Sequence, residues 1–253
     1  ILADEKATAS SIGDEPLQFY SKFPNIQVAV DANRKNGIEN LLQLSNKPDV
    51  ILLDDAFQHR KVKAGFYILL TAYDDLFCDD YILPFGNLRE PSSGKKRADM
   101  IIVTKCPNDL SEIAQQKIRE KLKVKQQVFF TTIQYDDFVF GNDSQLLVSE
   151  IQSEGKVLVA GIAKPKLFFD FLKNEKDDTL VFPDHHHFSK QDCEQILAKA
   201  KGRKIITTEK DFVRLNGLLP KSQLFYLPIK SIFLNTNIDK TIEDYVGQST
   251  RNS

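Results

Sequence analysis

The chain has 253 residues, with 34 Lys and Arg against 35 Asp and Glu, 42% hydrophobic and 27% charged. That composition excludes disordered and fibrous classes, and a net charge of −1 offers no basic excess for nucleic acid, so no such partner is expected. At roughly 100–200 residues per domain, the length allows one large domain or two modest ones.

In chain order, Gly13-Asp14-Glu15-Pro16 places two carboxylates before a proline that can open a helix at its first position. Acids in a first turn complement the helix dipole, so the tetrapeptide alone reads as structural. Asn36 to Ser45 has apolar positions at helical spacing, and Val50-Ile-Leu-Leu53 reads as a buried strand. Further buried strands are predicted at Phe66 to Leu70, Met100 to Val103, Val157 to Ala160, Leu180 to Phe182 and Ile205-Ile206. Helical spacing recurs at Ser111 to Leu122, Lys164 to Lys173, Ser189 to Ala200 and Thr208 to Asn216, with Ser189 and Asp192 placed as a capping box. This alternation marks an α/β chain with a parallel sheet. Gln127 to Ile151 differs: β-branched and aromatic residues surround a Gly141-Asn142-Asp143 turn, which reads as a β-hairpin connecting two α/β regions. Cys78, Cys106 and Cys193 are odd in number and far apart, which suits buried thiols in a reducing compartment. No apolar run reaches the roughly 18 to 20 residues of a membrane-spanning helix.

The strongest local signal is Val50-Ile-Leu-Leu-Asp54-Asp55. A buried strand delivering carboxylates at its C-terminal end is the way P-loop NTPases hold magnesium near phosphates, and a solvated acidic turn is the bland alternative. Phe57, Gln58, His59, Arg60 and Lys61 follow directly, a polar cluster suited to a ligand crevice at a strand end. In Leu83-Pro84-Phe85-Gly86-Asn87-Leu88-Arg89-Glu90-Pro91, Pro and Gly shape a loop around Arg89, which can neutralise a transferring phosphoryl group or form an ordinary salt bridge. Asp184-His185-His186-His187 follows a predicted strand; neighbouring side chains diverge, so one functional histidine is expected rather than a zinc site. Thr207-Thr208-Glu209-Lys210-Asp211 joins strand to helix with a good N-cap, and can be purely structural. Ser92-Ser93-Gly94-Lys95-Lys96 fails as a phosphate loop, because G-x-x-x-x-G-K-[ST] needs Gly where Arg89 stands and Ser or Thr where Lys96 stands.

In this order, the motifs resemble the tetraacyldisaccharide 4'-kinase family, the lipid A 4'-kinases of Gram-negative bacteria. The family pattern G-D-E-P, D-D-G-F-Q-H-R, L-P-x-G-x-L-R-E-P, T-K, G-I-x-x-P, D-H-H and T-T-E-K-D is matched at Gly13 to Pro16, Asp54 to Arg60, Leu83 to Pro91, Thr104-Lys105, Gly161 to Pro165, Asp184 to His186 and Thr207 to Asp211. The resemblance implies an α/β fold with a P-loop NTPase-like core over 1–126, a connecting β-hairpin over 127–151 and a smaller α/β domain over 152–253. It implies transfer of the γ-phosphoryl of ATP, with Mg²⁺, to the 4'-hydroxyl of an acylated glucosamine disaccharide lipid at the cytoplasmic face of the inner membrane. By the family pattern Asp14 is the base, tuned by His185; Arg89 stabilises the phosphoryl in flight; Asp54 and Asp55 hold Mg²⁺; Gln58, His59, Arg60 and Glu15 shape the nucleotide side. A monomer is expected.

Two departures qualify this. Ala56 stands where the family has Gly, adding a methyl that is mild if φ is negative. The family's phosphate loop and membrane-associating helix have no counterpart here, so the chain is expected to be an inactive fragment with both upstream of Ile1. One alternative takes Asp184-His185-His186 as a DHH-type metal-dependent phosphoesterase. Another is a non-catalytic lipid-binding module using the basic stretch Arg89 to Lys105, where Arg89, Lys95, Lys96, Arg97 and Lys105 outnumber Glu90 and Asp99.

Overall fold

A computed structural model describes residues 1–184, 186–234 and 242–247. Along the chain come α1 (Ala9–Ile12), α2 (Asp14–Lys22), α3 (Arg34–Leu42), β1 (Ile68–Ala72), β2 (Met100–Cys106), α4 (Glu112–Leu122) and β3 (Gln127–Tyr135). They are followed by β4 (Phe138–Phe140), β5 (Gln145–Leu147), α5 (Val148–Ser153), β6 (Val157–Ala160), α6 (Lys166–Leu172), β7 (Asp178–Val181), α7 (Lys190–Ala200), β8 (Ile205–Thr208), α8 (Glu209–Leu215), β9 (Leu224–Leu227) and β10 (Ile229–Phe233). Two compact units result, one from Ile1–Asp31 with Tyr135–Lys230, the other from Ala32–Gln134 with Ser231–Ser253.

The first unit is built on a six-stranded sheet ordered β5-β4-β9-β8-β6-β7, in which β7, β6, β8 and β9 are parallel and β4 runs antiparallel to β9 and β5. All four residues of β6 are fully buried, the continuous apolar run of a parallel strand covered on both faces. Alternation along the strand sends Leu158 and Ala160 into one cluster with Phe168 and Leu172 of α6, and Val157 and Val159 into another with Ile196 and Ala200 of α7 and Leu215 of α8. Ser189 caps α7 in the predicted capping box with Asp192, and Thr208 caps α8 by accepting from Asp211 N. Helix α2 begins at Asp14 with Gly13 as its N-cap, so Pro16 is the third helical residue rather than the first. Its missing N–H costs nothing there, since the opening turn has no intrahelical acceptor to meet.

The second unit carries a four-stranded sheet ordered β1-β2-β3-β10, with β1, β2 and β3 parallel. Met100, Ile101, Ile102 and Val103 of β2 are buried, and Ile101, Val103, Leu122 of α4 and Phe130 of β3 share one cluster.

Three expectations change. Val50–Leu53 forms no strand: it joins no ladder, Val50 is exposed and Leu52 is 90% exposed. An apolar run becomes a buried strand only with hydrogen-bonded neighbours and covering layers, and this sheet ends at β1. Gln127–Tyr135 is a parallel strand beside β2; the hairpin is confined to β4 and β5, closed by Gly141 N donating to Ser144 O. Aromatic and β-branched residues favour strands of either direction, so content alone does not reveal the partner. The expected boundaries at 126/127 and 151/152 also differ from the compact units, because residues 1–31 belong with 135–230. The physical reason is that α2 packs on α8, a long-range contact with no linker composition to signal it.

Candidate functional site

In the second unit the chain after Leu53 turns sharply. Asp54 Oδ1 accepts the backbone N–H of Asp55 at 3.0 Å, and Asp55 has φ of 42°, the left-handed region that short polar side chains tolerate. Ala56 is not among the positive-φ residues, so alanine meets no conformational penalty where the family pattern has glycine. Arg34 from α3 donates Nη2 to the carbonyls of Asp54 and Asp55 at 3.3 Å each, tying down the turn. His59 N donates to Ala56 O at 2.9 Å, and Arg60 then reaches Glu90 Oε2 at 2.9 Å.

Three acid-base contacts hold the Arg89 loop. Arg89 Nη1 donates to Asp55 Oδ2 at 2.8 Å, with both side chains more than half exposed. The adjacent Glu90 is largely covered and takes two guanidinium groups, Arg97 at 2.5 Å and Arg60 at 2.9 Å. Burial pushes the Glu90 carboxyl up, but hydrogen bonds from Arg97 and Arg60 outweigh it and hold the group below its ordinary range. Arg97 also donates to Phe57 O at 3.0 Å and stacks 4.7 Å over the Phe57 ring. Asp54, Asp55, Gln58, His59, Arg60 and Arg89 thus belong to one unit, and Asp55 and Arg89 touch directly.

Hard carboxylate oxygens on consecutive residues fit magnesium, which keeps several waters and needs one or two protein ligands. No group of three or more His, Cys, Asp or Glu side chains able to hold a metal occurs among the described residues. The segment Ser92–Arg97 is a short 3₁₀ helix rather than a phosphate loop. Of its cations, Lys95 donates to Leu122 O at 2.7 Å and Arg97 is engaged by Glu90, which weakens the lipid-binding reading of this stretch.

In the first unit, three motifs follow the carboxyl ends of neighbouring parallel strands: Gly161 after β6, Pro183-Asp184 after β7 and Thr208 at the end of β8. Ligands of open α/β sheets bind at such strand ends. Asp211 on α8 is fully buried there and accepts from Gly161 N at 2.8 Å and Thr208 Oγ1 at 2.7 Å through Oδ2. Its Oδ1 faces Arg214 Nη1 at 3.3 Å. Arg214 also holds Asp14 at the start of α2: Nε donates to Asp14 Oδ2 at 2.7 Å, and Nη2 donates to the same oxygen. The Arg214 side chain is 4% exposed and that of Asp14 19%. A Cβ on Gly161 would lie 3.1 Å from Asp211 Oδ1 and 3.3 Å from Pro183 O, so a side chain there needs one of these neighbours to give by a few tenths of an ångström.

Each residue of Thr207 to Asp211 has a partner in the same unit. Thr207 Oγ1 donates to Val159 O, Glu209 pairs with Lys22 and Lys210 with Glu15. His186 bonds Asp192 at 3.0 Å and stacks on Phe182, which makes it an internal strut. Hydrogen bonds from Ser189, with His186 adding to them, hold the Asp192 carboxyl down at about 2. His185 lies outside the described residues. A cavity of about 410 Å³ opens beside α2 and α8, lined by Gln18, Lys22, Asn142, Glu209 and Tyr226 among others, and, among the described residues, by none of the sequence-expected catalytic or nucleotide-binding ones. The sequence pattern does not single out Arg214; its signal there is a three-residue spacing from Asp211, which by itself reads as a surface ion pair.

The model of the Tetraacyldisaccharide-1-P 4'-kinase family matches residues 1–246. The chain belongs to this family. Among tetraacyldisaccharide 4'-kinases, that of Flavobacterium johnsoniae is 61% identical over 98% of this chain and 74% of its own length. That of Flavobacterium psychrophilum is 60% identical over 100% of the chain and 75% of its length, and that of Bacteroides thetaiotaomicron 43% identical over 100% and 74%. A crystal structure of the "apo" form of LpxK from Aquifex aeolicus in complex with ATP shares the fold, with a TM-score of 0.68, 24% identity and coverage of 96% of this chain and 70% of that one. The expected α/β fold and the tetraacyldisaccharide 4'-kinase family are therefore both confirmed, and the family match leaves the phosphoesterase reading without support.

Proposed function

We propose that this protein transfers the γ-phosphoryl group of ATP to the 4'-hydroxyl of a tetraacylated glucosamine disaccharide 1-phosphate, with Asp14 as general base. The observation that carries this is the placement of Asp14: a carboxylate at a helix start, gripped by a buried arginine among three strand-end motifs of a kinase family. A sugar hydroxyl loses its proton late in phosphoryl transfer, so a positioned carboxylate contributes less than alignment and charge neutralisation do, but is still worth about 10²–10⁴-fold.

Arg89 supplies positive charge to the phosphoryl in flight, from a loop whose conformation is supported by the Arg97–Glu90–Arg60 cluster next to it. Gln58, His59 and Arg60 shape the nucleotide crevice, and Glu15, paired with Lys210, orders the start of α2. His185 is assigned the tuning of Asp14 on the family pattern. Mg²⁺, when bound, would neutralise phosphate charge, and Asp54 and Asp55 would hold it directly or through water. ATP as donor is supported by the Aquifex aeolicus relative crystallised with ATP. The acceptor is an acylated lipid, so the reaction belongs at a membrane surface, here assigned to the cytoplasmic face of the inner membrane.

The test is phosphoryl transfer from ATP to the disaccharide lipid by the full-length protein. Asp14→Asn should lower kcat by about three orders of magnitude and leave KM for ATP within about twofold. Parental turnover in that variant would refute the base assignment.

A further inference from the structure

We infer that Arg214 is a positioning residue for the reaction: it fixes the Asp14 carboxylate by a two-nitrogen grip, and Asp211 in turn fixes Arg214. The inference rests on the reading of Asp14 as the base. The family motifs on their own do not supply this link, because Arg214 lies beyond the last of them.

The geometry is a chain of restraints from the sheet to the base. Asp211 is fully buried and held by Gly161 N and Thr208 Oγ1, both attached to the carboxyl ends of β6 and β8. Its remaining oxygen meets Arg214 Nη1, which leaves Nε and Nη2 for Asp14 Oδ2. A guanidinium is a rigid planar fork, so restraining one nitrogen restrains the others, whereas an ammonium on a flexible stem would not transmit the same orientation. Other charges near the start of α2 are Glu15 on the helix itself, and Lys210 and Glu209 from α8; these pair with one another or with Lys22 at longer or more exposed contacts. Arg214 is therefore the one buried cation, among the described residues, that grips Asp14 directly.

The arrangement has a chemical purpose. Both Arg214 contacts to Asp14 fall on Oδ2, which leaves the carboxylate's other oxygen as the one to take the hydroxyl proton. Misplacing a base by about 1 Å costs on the order of 100-fold in rate, so rotational freedom at Asp14 is expensive for kcat and nearly neutral for substrate affinity.

The experiment uses the full-length protein and a charge-balanced pair, Arg214→Gln with Asp211→Asn, which leaves only the partly exposed Asp14 carboxylate without its cation. Its kcat should fall roughly 100-fold while KM for ATP and for the disaccharide lipid stays within about twofold. Placed in an Asp14→Asn background, the same pair should change the residual rate by less than about twofold, because it acts through Asp14. An unchanged kcat, or a loss that multiplies in full with that of Asp14→Asn, overturns the inference while leaving the base assignment intact. Parental turnover in Asp14→Asn alone overturns both. Should the pair fail to fold, Arg214→Lys carries the test: it keeps the charge without the fork and should lose about tenfold in kcat at constant KM, and parental kcat there overturns the inference.

Discussion

Two ion pairs among those formed by expected site carboxylates are built in opposite ways. Asp14–Arg214 is a largely buried pair backed by a fully buried second carboxylate, while Asp55–Arg89 is an exposed pair with side chains 68% and 62% accessible. Burial lowers the effective dielectric and removes competing water, so the first pair acts as a rigid mount; water and salt screen the second, which leaves both groups available to a phosphate or a cation. On the proposed roles, a base needs a fixed orientation, and groups that exchange one another for nucleotide charge need the reverse.

The largest expected stability effect breaks the mount. Arg214→Ala strands Asp211 and Asp14 and should cost about 3–5 kcal/mol, read as a fall in the urea midpoint at constant slope. Its exposed counterpart sharpens the contrast: Arg89→Ala should leave the urea midpoint unchanged yet lower kcat by roughly 100-fold, and added salt should weaken the Asp55–Arg89 pair but not the Asp14–Arg214 pair. Next in size is Gly161→Ala, whose methyl must push Asp211 or the Pro183 carbonyl aside, at about 1–3 kcal/mol and with a measurable loss of kcat through Asp14.

The smallest effect concerns Glu90. Its folded-state carboxyl titrates below the ordinary value of 4.5, so its contribution to stability is complete above that pH and is lost as pH falls through the folded value. Glu90→Gln should flatten the stability profile below about pH 4.5 in acid titrations followed by circular dichroism, and an unchanged profile would exclude the Arg97–Glu90–Arg60 cluster as a source of acid sensitivity.

Much of the architecture was legible from local pattern. Val157–Ala160 reads as a buried parallel strand because all four residues are apolar, and Ser189 with Asp192 marks the start of α7 because a cap is a local bond. Val50–Leu53 misleads because burial depends on neighbours, which no four-residue window encodes. The carboxylates Asp14, Asp54 and Asp55 stand out in motifs, whereas Arg214 does not: its importance comes from a partner 200 positions away and from an enclosure that the sequence does not display. Thr207 to Asp211 was visible as a motif, but that Asp211 anchors the whole arrangement follows only from the close approach of Gly161.

The interleaving of the two units has a consequence for biosynthesis. The chain passes from one to the other after Asp31, after Gln134 and again after Lys230, so neither is a continuous stretch of polypeptide. During translation, α2 leaves the ribosome long before α8 exists to receive it, and β3 waits for β10 in the same way. Domains that fold as contiguous blocks can be finished one at a time, but here neither unit is complete until its later segment, 135–230 or 231 onward, has been made, with apolar strands such as β2 exposed in the meantime. Release of a chain stopped before Glu209 would yield a half-built first unit with Asp14 and no Arg214 to hold it.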